Sequence, residues 1–167
     1  MPARTRTSLV HQISYAVRHP ERISPHLRRL ARDTWLRLRT GDHISYYRAV
    51  MKSDTARDPK AAVGSKTHKR WLALGQMQFD YLVAHGLRPE HRMLEIGCGN
   101  LRAGRLFIDY LEAGHYYGID ISPDILIAAQ DVMVEYGLAG KVPHLTPVRD
   151  LRFAFLPDRH FDVVHAH

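Results

Sequence analysis

The chain has 167 residues, 45% of them hydrophobic and 25% charged, the composition of a soluble globular domain with room for an extension. It holds no run of about 18 apolar residues and no apolar N-terminal signal core, which speaks against a membrane span or export and sets the expectation of a cytoplasmic protein. Its one cysteine, Cys98, cannot close an intramolecular disulfide, no Cys/His cluster has zinc spacing, and no metal is expected. The net charge of +7 is uneven: residues 1–70 carry 16 Lys/Arg against 5 Asp/Glu, and residues 71–167 carry 8 against 12. Such a basic arm can meet phosphates, anionic lipid or an acidic partner, or lie on the acidic half of its own chain.

In chain order, residues 1–64 read as a helical, basic extension and linker, and residues 65–167 as the domain proper. The spacing predicts a helix from Pro25, with Ser24 as its cap and Gly41 as its stop. Leu27, Leu30, Ala31, Trp35 and Leu38 recur at helical intervals, while Arg28, Arg29, Arg32, Arg37 and Arg39 fall largely elsewhere. Residues 25–39 can therefore make peripheral contact with a membrane, or cover a core or a partner. A short helix with Tyr46 and Tyr47 is expected over 43–52, and SDTARDPKAAVG (53–64) reads as a linker.

Ser65 then caps a helix to about His85 that presents Leu72, Gly75, Phe79, Leu82 and Val83 on one face. The period next changes from helical to strand-like. Residues 92–96 form a strand ending at Gly97, and a helix is expected from Leu101 to Glu112. A second strand over 115–119 ends at Asp120. Ser122 and Pro123 open a further helix to Tyr136, stopped by Gly137. Third and fourth strands are expected at 144–148 and 161–166. Strands alternating with helices in this way predict a Rossmann-like α/β fold with a mainly parallel sheet.

The chemistry concentrates in Glu95-Ile96-Gly97-Cys98-Gly99-Asn100, between a strand and a helix. Two glycines allow a sharp turn and close approach of backbone N–H groups to a ligand, and the dipole of the following helix favours a polar or anionic group there. Asp120, 21 residues past Gly99 at the end of the next strand, is placed to accept hydrogen bonds from ribose hydroxyls. In the dinucleotide fingerprint a third glycine would stand at Arg102 and an apolar residue at Glu95, so the pattern departs from nicotinamide and flavin binders. S-adenosylmethionine has no pyrophosphate to cradle, and its ammonium and sulfonium suit a nearby carboxylate.

Met93-Leu94-Glu95-Ile96-Gly97-Cys98-Gly99-Asn100-Leu101-Arg102 resembles the first motif of the class I S-adenosylmethionine-dependent methyltransferases, with Leu101 in place of a further glycine. Tyr117-Gly118-Ile119-Asp120-Ile121-Ser122 resembles the second, and Phe161-Asp162-Val163-Val164-His165-Ala166 the fourth strand. The resemblance covers about residues 65–167. It implies S-adenosylmethionine as cofactor, contacts to it from Glu95, Gly97, Cys98, Gly99, Asn100, Asp120, Ile121 and Asp150, and a helix carrying Gly75, Gln76 and Gln78 that closes over it, where the residues alone allow an ordinary packing helix equally well. It implies methyl transfer, and the lack of an acid or asparagine followed by two prolines near His167 favours a small-molecule, lipid or glycan acceptor over a nucleic-acid base. Family members continue beyond a fourth strand, so the chain is expected to be a fragment, or to have its sheet edge covered by a partner.

Single residues carry less. Cys98 at a helix start can be reactive, but a small residue is the simpler requirement there. His165, at the C-terminal end of a strand where open α/β sheets place their sites, is the one candidate for a catalytic or substrate-contacting histidine, with His167 two residues on. The catalytic base, the oligomeric state and the acceptor are not specified by these residues. Two rival readings use the same fold: a noncatalytic binding module that holds a partner or nucleic acid through its basic arm, and a nicotinamide-dependent oxidoreductase.

Overall fold

The computed structural model describes residues 20–65, 67–150 and 152–166. Two compact units divide between Asp42 and His43. In the first, α1 (Pro20–Arg39) begins five residues before the expected start. Pro20 takes the opening position that favours proline, leaving Pro25 in the helix interior with no amide to donate. The helix ends as expected before Gly41, where the amide and Oγ1 of Thr40 both donate to the Leu36 carbonyl, at 3.0 and 2.8 Å.

The second unit opens with α2 (His43–Arg57) and α3 (Pro59–Ala62), where a linker was expected across 53–64. The Asp58-Pro59 pair, which reads as a turn, is a helix start. Asp58 Oδ1 accepts from the amides of Lys60 at 2.9 Å and Ala61 at 3.1 Å, and Pro59 supplies the first helical position. Met51 packs with Ile125 and Ala128, and Ala62 and Val63 join them, so residues 43–64 are part of the second unit's packing.

Next come α4 (His68–Ala84), β1 (Met93–Ile96), α5 (Gly104–Tyr110), β2 (Tyr116–Asp120), α6 (Pro123–Glu135), β3 (His144–Pro147) and β4 (Val163–Ala166). The cap of α4 is Thr67, whose Oγ1 accepts from the Arg70 amide at 3.2 Å; Ser65 is instead buried upstream. Ser122 precedes Pro123 as expected, but its hydroxyl makes no capping bond. Among the described residues the sheet has four strands in the order β3-β2-β1-β4, and every pairing is parallel. The Rossmann-like α/β fold expected from the sequence is the one observed.

Alternation along the strands divides the core. One face carries Met93 and Tyr116 and packs against Trp71 of α4, Phe107 and Ile108 of α5, and Leu126, Ala129 and Val132 of α6. Trp71 is wholly buried, and covering about 150–250 Å² of aromatic surface contributes roughly 4–6 kcal/mol before entropy is counted. The other face carries Leu94 and Ile119, covered by Val148, Phe153, Leu156 and Phe161. Asp162 joins β4 to β1: its carboxylate accepts from the Arg92 amide at 2.8 Å, and its own amide donates to the Arg92 carbonyl at 2.9 Å.

Candidate functional site

The turn after β1 is built on left-handed backbone at Gly97 (φ 79°) and Gly99 (φ 55°). The amides of Gly97 and Cys98 both donate to the Ile119 carbonyl, at 2.8 and 3.1 Å, which folds the turn against the end of β2. There Asp120 ties the two strand ends together: its Oδ2 accepts from the Gly99 amide at 3.0 Å and its Oδ1 from the Ser122 amide at 2.8 Å. Burial raises the carboxyl's pKa, and the bonds from the amides of Ser122, Gly99 and Ile121 oppose that rise.

The helix does not follow at once. Leu101 is also left-handed (φ 62°) with its side chain wholly buried, and α5 begins only at Gly104. A left-handed residue cannot propagate a right-handed helix, so the expected start at Leu101 is corrected. With seven residues, starting beyond the turn, α5 does not supply the helix-dipole site that the glycine spacing suggests.

A cleft of about 250 Å³ lies over this turn, lined on one side by Gly97, Cys98, Gly99 and Asp120. Its other wall is Tyr47 and Met51 of α2, Ala62 of α3, Val63 and Arg102. Three side chains fasten this wall to the rest of the unit. Arg48 donates to the carbonyls of Ile121 and Val148, both at 2.8 Å, bridging the ends of β2 and β3. Arg102, in the place of a third glycine, reaches the Val63 carbonyl at 2.8 Å. Asn100 donates to the Pro59 carbonyl at 3.0 Å while accepting from the Trp71 indole at 3.1 Å. A Cβ on Gly99 would stand 2.9 Å from Val63 Cγ1, so the wall's close approach requires glycine there.

The sequence-derived candidates therefore separate. Gly97, Cys98, Gly99 and Asp120 come together at the cleft. Glu95 does not line it: wholly buried, it accepts a hydrogen bond from the Tyr116 hydroxyl. Burial, partly countered by that bond and by Arg102, pushes its carboxyl up to about 7. Asn100 is the clasp just described, with both amide atoms engaged within the fold. Ile121 offers its carbonyl to Arg48. Asp150 is exposed and accepts from the Arg152 amide at 2.9 Å, outside the cleft lining. His165 is level with Glu95 on β4, half-buried and edge-on to Phe107, also outside the lining, and burial lowers its pKa. His167 lies outside the described residues.

Cys98 is buried, and desolvation, with Glu95 and Asp120 adding to it, raises its thiol pKa well above the ordinary value, the reverse of an activated thiolate. The helix carrying Gly75 is a packing element: a Cβ at Gly75 would fall 2.2 Å from the Arg102 carbonyl oxygen, and Gln76 bonds Asp80 within α4. The cover over the turn comes instead from α2 and α3. Sequence reasoning missed Tyr47, Met51, Ala62 and Val63, which belong to no motif; Arg102 stood out only as a departure from one.

Residues 94–167 match a family model described as a methyltransferase domain. No sequence match is found among curated proteins. Among solved structures, magnesium protoporphyrin IX methyltransferase from Synechocystis, crystallised with S-adenosylhomocysteine, is similar at 22% identity and a TM-score of 0.53, over 75% of this chain and 58% of that one. The YcgJ protein of Bacillus subtilis aligns at 24% identity and a TM-score of 0.43, over 59% of this chain and 38% of that one. A methyltransferase from Thiobacillus denitrificans with S-adenosylhomocysteine aligns at 22% and 0.39, over 60% and 36%. The chain thus spans less than two thirds of the length of each of these proteins. Among the described residues, no helix is long and apolar enough to cross a membrane, and no group of three or more His, Cys, Asp or Glu side chains is placed to hold a metal.

Proposed function

We propose that this chain, whose residues 94–167 match a methyltransferase-domain model, is of the class I, S-adenosylmethionine-dependent kind, binds S-adenosylmethionine in the cleft beside Gly97 and takes part in methyl transfer to a small-molecule, lipid or glycan acceptor. The observation that carries the reading is Asp120. Its two oxygens offer about four lone-pair sites, and the amides of Ser122, Gly99 and Ile121 take three of them, which leaves one for a ribose hydroxyl at the cleft. Gly97 has nothing within 4 Å of the position a Cβ would take, so the surface above it is open for a ligand. Met51, Ala62, Val63 and Cys98 give the cleft an apolar lining beside these polar groups, the usual make-up of a small-molecule site.

The cofactor supplies an electrophilic methyl group on a sulfonium centre. The chain's own residues bind and shield it. Asp120 holds the ribose end, and the turn at Gly97–Gly99 lets backbone come close. The wall formed by Tyr47, Met51, Ala62 and Val63 limits water, so that alignment of the two reactants dominates the rate. On this reading the working unit starts at His43 and not at residue 65, because α2 and α3 supply Tyr47, Met51 and Ala62 to the cleft.

The test is calorimetric titration of the chain with S-adenosylmethionine and separately with NADH, repeated on Asp120→Ala and Asp120→Asn after circular dichroism has verified folding. Binding of S-adenosylmethionine alone, weakened at least tenfold in both variants, supports the reading. Preference for NADH makes the chain a nicotinamide binder, and a folded chain that binds neither means that residues beyond this chain are required or that it is a noncatalytic module; either outcome overturns the reading for this chain.

A further inference from the structure

We infer that α1 is an interfacial helix that docks the protein on an anionic lipid surface. Leu27, Leu30, Trp35 and Leu38 of this helix are 59, 51, 53 and 82% exposed. With Ala31 and Thr34 they occupy one arc, roughly 140° of the circumference at about 100° per residue. Four large apolar side chains so exposed on about three turns of helix form a patch of the kind that marks an interaction surface.

The charges beside the patch identify what covers it. Arg28 and Arg39 border the arc on one side and Arg37 on the other, and residues 27–39 carry five arginines against one aspartate. The Arg39 guanidinium stands 4.6 Å from the centre of the Trp35 ring, putting cation and aromatic at one level, as at a headgroup boundary. Apolar residues in a central arc with arginines on both borders match a bilayer surface approached in the plane, with acyl chains beneath the leucines and anionic headgroups beside the arginines. A partner protein would need a groove with acidic rims on both sides, and a nucleic acid would have no use for the leucines. The helix is too polar to cross the bilayer, so it lies along it.

The experiment uses the full chain with vesicles of phosphatidylcholine alone and of phosphatidylcholine mixed with phosphatidylglycerol, followed by co-sedimentation and tryptophan emission. Trp71 is wholly buried and Trp35 is not, so a blue shift reports on α1. The expected result is binding to the mixed vesicles only, reduced at least tenfold in the double variant Leu30→Asp/Leu38→Asp. In Arg28→Gln/Arg39→Gln, which keeps good helix formers, the loss is about fivefold per arginine, and added salt weakens binding in the parent chain. Absence of binding, equal binding to neutral vesicles, or unchanged binding by both variants overturns the inference. So does binding of an oligonucleotide instead of vesicles, or a dimer that Leu30→Asp/Leu38→Asp dissociates while vesicles go unbound. S-adenosylmethionine titration of the same variants keeps this result separate from the cleft.

Discussion

The two walls of the cleft reach the same place by different routes. Gly97, Cys98, Gly99 and Asp120 lie at the ends of two adjacent parallel strands, and the bond from the Gly99 amide to Asp120 spans 21 residues. Tyr47, Met51, Ala62 and Val63 arrive from α2 and α3, and the bond from Arg48 to Val148 spans 100. The first wall is made by local spacing, in which a glycine turn and an acid at a set distance assemble once the strands pair. The second exists only because a helix finds the strand ends, and it is held there by a few side-chain hydrogen bonds and by the packing of Met51 with Ile125 and Ala128. One wall is therefore rigid by construction, and the other is the part that a mutation can detach.

The largest effect should come from the contact on which both walls depend. Gly75→Ala places a Cβ 2.2 Å from the Arg102 carbonyl oxygen, which is backbone and cannot rotate aside, so α4 must move off the turn. A loss of about 3 kcal/mol in unfolding free energy is expected, read by chemical denaturation. A Tm unchanged within a degree or so would mean that the two elements are not pressed together as described.

A second variant separates the rigid wall's stability from its chemistry. Glu95 titrates at about 7 in the folded state against 4.5 in the unfolded chain. Below 4.5 both states are protonated and no penalty exists. Between the two values only the unfolded state loses its proton, so stability falls as pH rises through that window and is then level, by about 3 kcal/mol at about 1.4 kcal/mol per unit. Glu95→Gln should remove this slope and leave the protein more stable at pH 8 than its parent. Parallel pH–stability curves for the two proteins would refute the assignment.

The smallest effect tests the movable wall alone. Arg48→Met keeps most of the side chain's apolar length but leaves the Ile121 and Val148 carbonyls without their donor. A cost of about 1–2 kcal/mol is expected, together with faster amide exchange over residues 43–57 and unchanged exchange in β1 and β2. Equal acceleration across the whole sheet would show that α2 and the sheet open together.

The same contrast explains how far the residues could be read directly. Alternating periods, the glycine turn and Asp120 are local features, and each set a strand, a turn or a strand end at its observed place. Asp58-Pro59 was misread because a cap-and-proline pair looks like a turn until its amide bonds are seen. Leu101 was misread because a left-handed backbone at a buried leucine has no local sequence signal. Glu95 and Asn100 stand in the motif as ligand contacts, yet burial gives them partners in Tyr116, Trp71 and Pro59.

By itself the sequence determined the parallel α/β fold, the turn at Gly97–Gly99 and the acid facing it, because these depend on backbone geometry within one βαβ unit. The tertiary structure alone decided which side chains enter the cleft and what covers it. Those outcomes depend on packing between segments far apart in the chain, where no spacing rule connects a residue to its neighbour.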